Sequence, residues 1–127
     1  MNSIVDAHHH LWDLELTPQP WLDDSMGPIN RSFGHADLVR AVGDRVDATI
    51  LVQTASDDGE TQLMLDIAAT SDLVAGVVGW TDLTASDVAD RIAHVLSSPH
   101  GAFLSGIRHQ VHDEPDPTWL DRADVRR

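Results

Sequence analysis

Four short apolar segments rich in β-branched residues recur along this chain, at residues 4–8, 48–53, 74–79 and 104–109. Between the later ones lie stretches whose apolar residues repeat at helical spacing. A strand, helix, strand, helix order argues for a parallel sheet, because parallel neighbours are joined by a crossover long enough to hold a helix. The last three segments begin about 26 to 30 residues apart, the length of one βα unit. The expected fold is α/β, with about four parallel strands and helices packed outside them.

The helices are expected at three places. Residues 35–42 put Leu38, Ala41 and Val42 on one face, with Gly43 as a stop. Leu63, Met64, Ile67 and Ala68 form the second stripe, and the acidic Asp57, Asp58 and Glu60 suit the positive end of that helix. In the third, Thr84 or Ser86 is expected to cap, Val88, Ile92, Val95 and Leu96 to be buried, and Pro99 to end the helix. These stripes read as core.

The first strand is separated from the second by about 44 residues, well above one βα unit. The surplus lies in residues 11–33, which carry Pro18, Pro20 and Pro28 together with Trp12 and Trp21. A long loop after a parallel strand is either a wall or lid of a pocket or a segment packing its aromatics on the rim of the sheet. Both readings stand on sequence.

Chemistry concentrates at the end of the first strand. In a regular strand Asp6, His8 and His10 project to one side, so His8 and His10 can reach one metal ion, while His9 points the other way. Neutral imidazole suits Zn²⁺. The plain alternative is a pair of half-buried histidines held by hydrogen bonds. Asp6 is expected to orient a histidine. Arg108 and His109 close the fourth strand and should face opposite sides. An arginine at the C-terminal edge of a parallel sheet is costly unless paired, so Arg108 suits a substrate carboxylate or a developing oxyanion and is the expected catalytic residue. Gln53 and Trp80 end the second and third strands. His112, Asp113 and Glu114 read as a solvated acidic turn.

Charge excludes one class of partner. Asp and Glu number 21 against 8 Lys and Arg, so there is no basic surface for nucleic acid. With no cysteine there are no disulfides, thiolate ligands or thiol nucleophile. No basic and apolar leader and no apolar run of membrane-spanning length is visible, and the expected location is cytoplasmic.

Asp6-Ala7-His8-His9-His10-Leu11-Trp12, Leu51-Val52-Gln53-Thr54, Gly76-Val77-Val78-Gly79-Trp80-Thr81-Asp82-Leu83, Gly106-Ile107-Arg108-His109 and Asp113-Glu114-Pro115-Asp116-Pro117 follow one another in a telling order. In that order they resemble the N-terminal part of the amidohydrolase-2 family, whose (β/α)₈ barrel hydrolases include sugar lactonases. The resemblance implies a TIM-type barrel, of which residues 1–127 would be the N-terminal half, since a whole barrel takes about 250 residues. It implies hydrolysis of a small cyclic ester, with His8 and His10 as metal ligands, Arg108 as a catalytic group, and Gln53, Trp80 and Trp12 toward the sugar. All eight basic residues are Arg, so a carboxylated lysine bridging two metals cannot come from this segment, and a mononuclear zinc centre is expected, or none in branches that need no metal. A water-activating Asp from the last strand would lie beyond Arg127. The chain alone would then be inactive and would self-associate or pair with a C-terminal half. The alternative is a non-catalytic half-barrel or metal-binding module.

Overall fold

A computed structural model describes residues 3–127. Strands β1 (Val5–His9), β2 (Ala48–Val52), β3 (Val74–Gly79) and β4 (Leu104–Ile107) alternate with helices α1 (His35–Val42), α2 (Asp58–Thr70) and α3 (Val88–Leu96). The strands form one parallel sheet in the order β1-β2-β3-β4. Sequential neighbours joined by outer helices are the arrangement of a (β/α) barrel wall.

Hydrophobic burial holds α2 on the sheet. Leu51 of β2 and Val74 and Val77 of β3 pack with Met64, Leu65 and Ala68 of α2, joined by Leu38 of α1 and by Leu11. Asp57 caps α2, its carboxylate accepting from Gly59 N at 2.6 Å and Glu60 N at 3.4 Å. At the other end of the contact, Gly79 lets the backbones close in. A Cβ there would sit 2.5 Å from Thr61 Cγ2. The Thr61 hydroxyl accepts from Trp80 N and donates to Trp80 O, both at 2.8 Å, so α2 pins the chain as it leaves β3.

Three local expectations need correction. First, β1 starts and ends one residue later than its apolar run suggests, and a bulge between Asp6 and His9 interrupts its strict alternation. Second, neither Thr84 nor Ser86 caps α3. Asp87 stands at that position with its carboxylate bonded to Arg91 at 2.8 Å, while the Thr84 hydroxyl is committed to Asp82 Oδ1 at 2.7 Å. Third, no residue of α3 is buried, and Leu96 remains 52% exposed. The stripe is present, but α3 meets chiefly the turn Gly101–Phe103 and leaves much of its apolar face uncovered. No helix among the described residues is long and apolar enough to cross a membrane.

Candidate functional site

The C-terminal ends of β1 and β4 lie at opposite edges of the sheet, yet side chains following from them meet. His8 Nε2 and His10 Nε2 are 3.2 Å apart, and Arg108 Nη1 lies 3.2 Å from His8 Nε2. The backbone that places Arg108 continues the ladder past β4, Arg108 N donating to Gly79 O at 2.9 Å. His10 is held by its other nitrogen, Nδ1–H donating to Val52 O at 2.8 Å. Two histidines and a guanidinium thus converge across the strand ends.

The hydrogen-bond roles make this cluster unusual. Arginine has only donors, so His8 Nε2 accepts; His10 Nδ1 donates to a carbonyl, so His10 Nε2 is also an acceptor. Two lone pairs therefore face each other at 3.2 Å. Nothing but a cation or an added proton makes that contact favourable. Burial, against the opposing hydrogen bond to Val52 and with the Arg108 charge adding to it, lowers the His10 pKa and so favours its neutral form.

Neighbouring residues divide into walls and supports. His10 and Arg108 line a cavity of about 300 Å³ with Trp21, Thr54, Gln110 and the paired His112 and Asp113. Gln53 is fully buried; its Nε2 donates to Ala55 O at 3.2 Å and Gln110 Oε1 at 3.4 Å, while its Oε1 has no partner. Trp80 donates through Nε1 to His109 Nδ1 at 3.2 Å, and His109 in turn donates to Glu114 at 2.7 Å and stacks on Trp119 at 3.9 Å. Glu114 is therefore engaged by His109 instead of standing free in an acidic turn. His109 faces this cluster while Arg108 faces His8, and His9 turns away to Thr49 Oγ1 at 3.0 Å. Asp6 accepts from the His8 backbone amide at 3.0 Å, which steadies the bulge and not an imidazole. Trp12 packs with Trp21 and lines a separate, mostly apolar hollow of about 440 Å³ against α2. That larger hollow has none of the converging histidines or Arg108.

Two further residues matter here. Glu60 is only 4% exposed, and its carboxylate accepts from Thr54 N, Thr54 Oγ1 and Ala55 N, fixing the loop that borders the cavity. In the sequence it is one of several acids at a helix start. Trp21 is the aromatic residue on the cavity, and only its place in the long loop hinted at that.

No family model matches the chain. It is 33% identical over 95% of its length to an L-fucono-1,5-lactonase of Burkholderia ambifaria, and 34% identical over 97% to one of Burkholderia multivorans. Its fold superimposes with a TM-score of 0.85, at 32% identity and over 98% of its length, on an amidohydrolase crystal structure from Burkholderia multivorans holding HEPES. Amidohydrolase and lactonase homologues therefore match this chain over nearly its whole length. A zinc-bound amidohydrolase structure from the same organism gives a TM-score of 0.84 at 31% identity. The chain spans about 41% of the length of the lactonases it matches, and 42% and 43% of the two solved chains. Its four parallel strands with flanking helices superimpose on part of those amidohydrolase barrels. Among the described residues no set of three or more His, Asp or Glu could hold a metal.

Proposed function

We propose that residues 1–127 are the N-terminal half of an amidohydrolase-type barrel domain and supply the electrophilic side of a site that hydrolyses a small cyclic ester, a sugar lactone. The observation that carries this reading is the convergence of His8, His10 and Arg108 at the strand ends. Lactonase relatives supply the ester chemistry.

The donor set fits two positions of a divalent ion, zinc before others. Zn–N bonds of about 2.0–2.1 Å at a tetrahedral angle place two ligands about 3.3 Å apart. The 3.2 Å separation of the two Nε2 atoms matches, and the His10 contact to Val52 O is the outer hydrogen bond that typically orients such a ligand. When bound, such an ion polarises an ester carbonyl as a Lewis acid. Its remaining ligands come from outside the described residues, and the same holds for the acid that activates water.

Arg108 binds the lactone's carboxyl side or the oxyanion developing from its carbonyl, a charge that a guanidinium stabilises more in the transition state than in the ground state. Gln53, fully buried, acts on the cavity through Gln110, whose place on the wall it fixes. Trp12 and Trp80 act on the substrate indirectly, Trp12 through Trp21 and Trp80 by bracing His109 beside Arg108. A second reading, a metal-binding half-barrel without turnover, is favoured by the presence of only two suitable donors.

One comparison tests both. The 127-residue chain alone is expected to hydrolyse L-fucono-1,5-lactone no faster than buffer. Joined to the remaining part of the Burkholderia multivorans lactonase barrel it is expected to turn over, and Arg108→Ala is expected to cost about 100-fold or more. Turnover by the isolated chain that His8→Ala abolishes would show the site to be complete already. Zinc binding by a joined barrel that never turns over would leave the second reading.

A further inference from the structure

We propose that Trp21 is a stacking platform for one face of a monosaccharide-sized, polyhydroxylated ring, and that it determines which class of ester the site accepts. This inference rests on the hydrolase reading above and deepens it.

Trp21 is 39% exposed, and it is the aromatic wall of the cavity that holds His10 and Arg108. Its one polar atom is already taken, because the indole N–H donates to Gln19 Oε1 at 2.9 Å. Gln19 is buried and anchored in turn, its Nε2 reaching Thr17 O at 3.4 Å. Trp12 packs with it in a T-shaped pair at 5.4 Å and 82°. Trp12 is itself tied down, by Nε1 donating to Arg31 O at 2.7 Å and by a two-way backbone bridge to Phe33 at 3.1 and 2.8 Å. A loop with no strand or long helix of its own is therefore ordered around these aromatics. What Trp21 offers the cavity is apolar ring surface in a fixed pose.

The rest of the cavity is polar. Arg108, Gln110 and Asp113 bring polar side chains to the same space, beside a Thr54 whose hydroxyl is bonded to Glu60. A ligand must therefore have one C–H face and several hydrogen-bonding edges, which describes a sugar-like ring. A flat aromatic acid would satisfy Trp21 and Arg108 but set a hydrocarbon edge against Gln110 and Asp113, displacing their water without replacing its hydrogen bonds, which disfavours such a ligand. A volume of about 300 Å³ lies at the small end of ligand cavities, suited to one ring and not to an oligosaccharide.

The test uses the 127-residue chain and two probes of similar size, L-fucono-1,5-lactam, which resists hydrolysis, and benzoate. Four indole N–H signals, one per tryptophan, are assigned in NMR spectra from single Trp→Phe variants. The lactam is expected to give cross-relaxation between its ring C–H protons and the Trp21 indole, to bind more tightly than benzoate, and to weaken about tenfold in Trp21→Leu. The cross-relaxation is read on the unaltered chain, so it decides the matter even if Trp21→Leu fails to fold. Lactam binding that shifts His10 and Arg108 but spares Trp21 overturns the platform and leaves the hydrolase reading standing. Tighter binding of benzoate overturns the assigned ligand class. No binding of the lactam overturns the platform and counts against the hydrolase reading as well.

Discussion

His8 Nε2 lies between two partners of opposite character, 3.2 Å from the Arg108 guanidinium and 3.2 Å from the lone pair of His10 Nε2. The first contact is a hydrogen bond to a cation; the second is two acceptors facing each other. Arg108 and a metal ion would compete for the same lone pair. We therefore expect one equivalent of zinc to bind weakly, to be lost in His8→Ala and in His10→Ala, and to be retained in His9→Ala, whose imidazole is engaged with Thr49. Arg108→Ala should tighten binding, since it frees the lone pair and removes a repelling charge. Isothermal titration of the four variants measures this, and unchanged binding in both His8→Ala and His10→Ala rules the pair out.

Much of the fold was legible because burial leaves a periodic trace. Helices α1 and α2 and strands β2 and β3 lie where the sequence places them, and Leu38, Met64 and Ala68 are buried as expected, but the buried face of α2 is turned toward Leu65, leaving Leu63 and Ile67 half-buried and Ala41 of α1 exposed. The α3 stripe misled further. Periodicity reports that Leu96 could be buried, and cannot report whether a neighbour covers it. At the site, the pairing of His8 with His10 was readable from spacing of two even though the bulge in β1 was not. Trp21 and Glu60 were not readable as cavity groups, because their roles depend on where a loop folds back and on which amides a carboxylate meets. No local pattern encodes either.

Close approach of α2 to β3 depends on Gly79. Gly79→Ala would force its methyl against Thr61 and cost about 1–3 kcal/mol, the range for overpacking a well-packed contact. Removing only the obstructing methyl by Thr61→Ser keeps the hydroxyl that bridges Trp80 and should recover part of the loss in the double variant. Urea unfolding of the two single variants and the double supplies the cycle. Strict additivity would mean that the strain is taken up elsewhere.

At the start of α1, Asp37 accepts from Gly34 N at 3.0 Å and from Arg31 Nη2 at 3.1 Å. The Gly34 amide first, and Arg31 with it, lower the pKa of this exposed carboxyl below its ordinary value. A depressed folded-state pKa means that the unfolded chain takes up the proton first, so the stabilisation is present above the unfolded value of about 3.9 and is lost as pH falls through the folded one. Asp37→Asn should therefore unfold at a lower temperature than the parent at pH 7. The gap should narrow as pH drops below about 4. A gap that stays constant down to pH 2.5 would assign the effect to helix geometry and not to the charge.

The outer edges of β1 and β4 have no strand partner among the described residues, and Ile4 and Val5 at the first edge are exposed. A closed barrel has no such edge, whereas an open parallel sheet presents a row of unpaired amides and carbonyls beside apolar side chains. The uncovered face of α3 adds to that surface. The net charge of −13 opposes association by long-range repulsion, but screening at physiological salt confines that repulsion to about 8 Å, beyond which short-range pairing decides. We therefore expect a dimer or larger soluble species in sedimentation velocity at 0.15 M salt, shifting toward monomer at low salt. Replacing Val5 with Lys at the β1 edge should lower the associated fraction, as charged edge residues do in natural sheets. A single sharp monomer boundary for the parent chain at both salt concentrations would show that the open edges are covered from within, with residues 11–33 the segment long enough to do it.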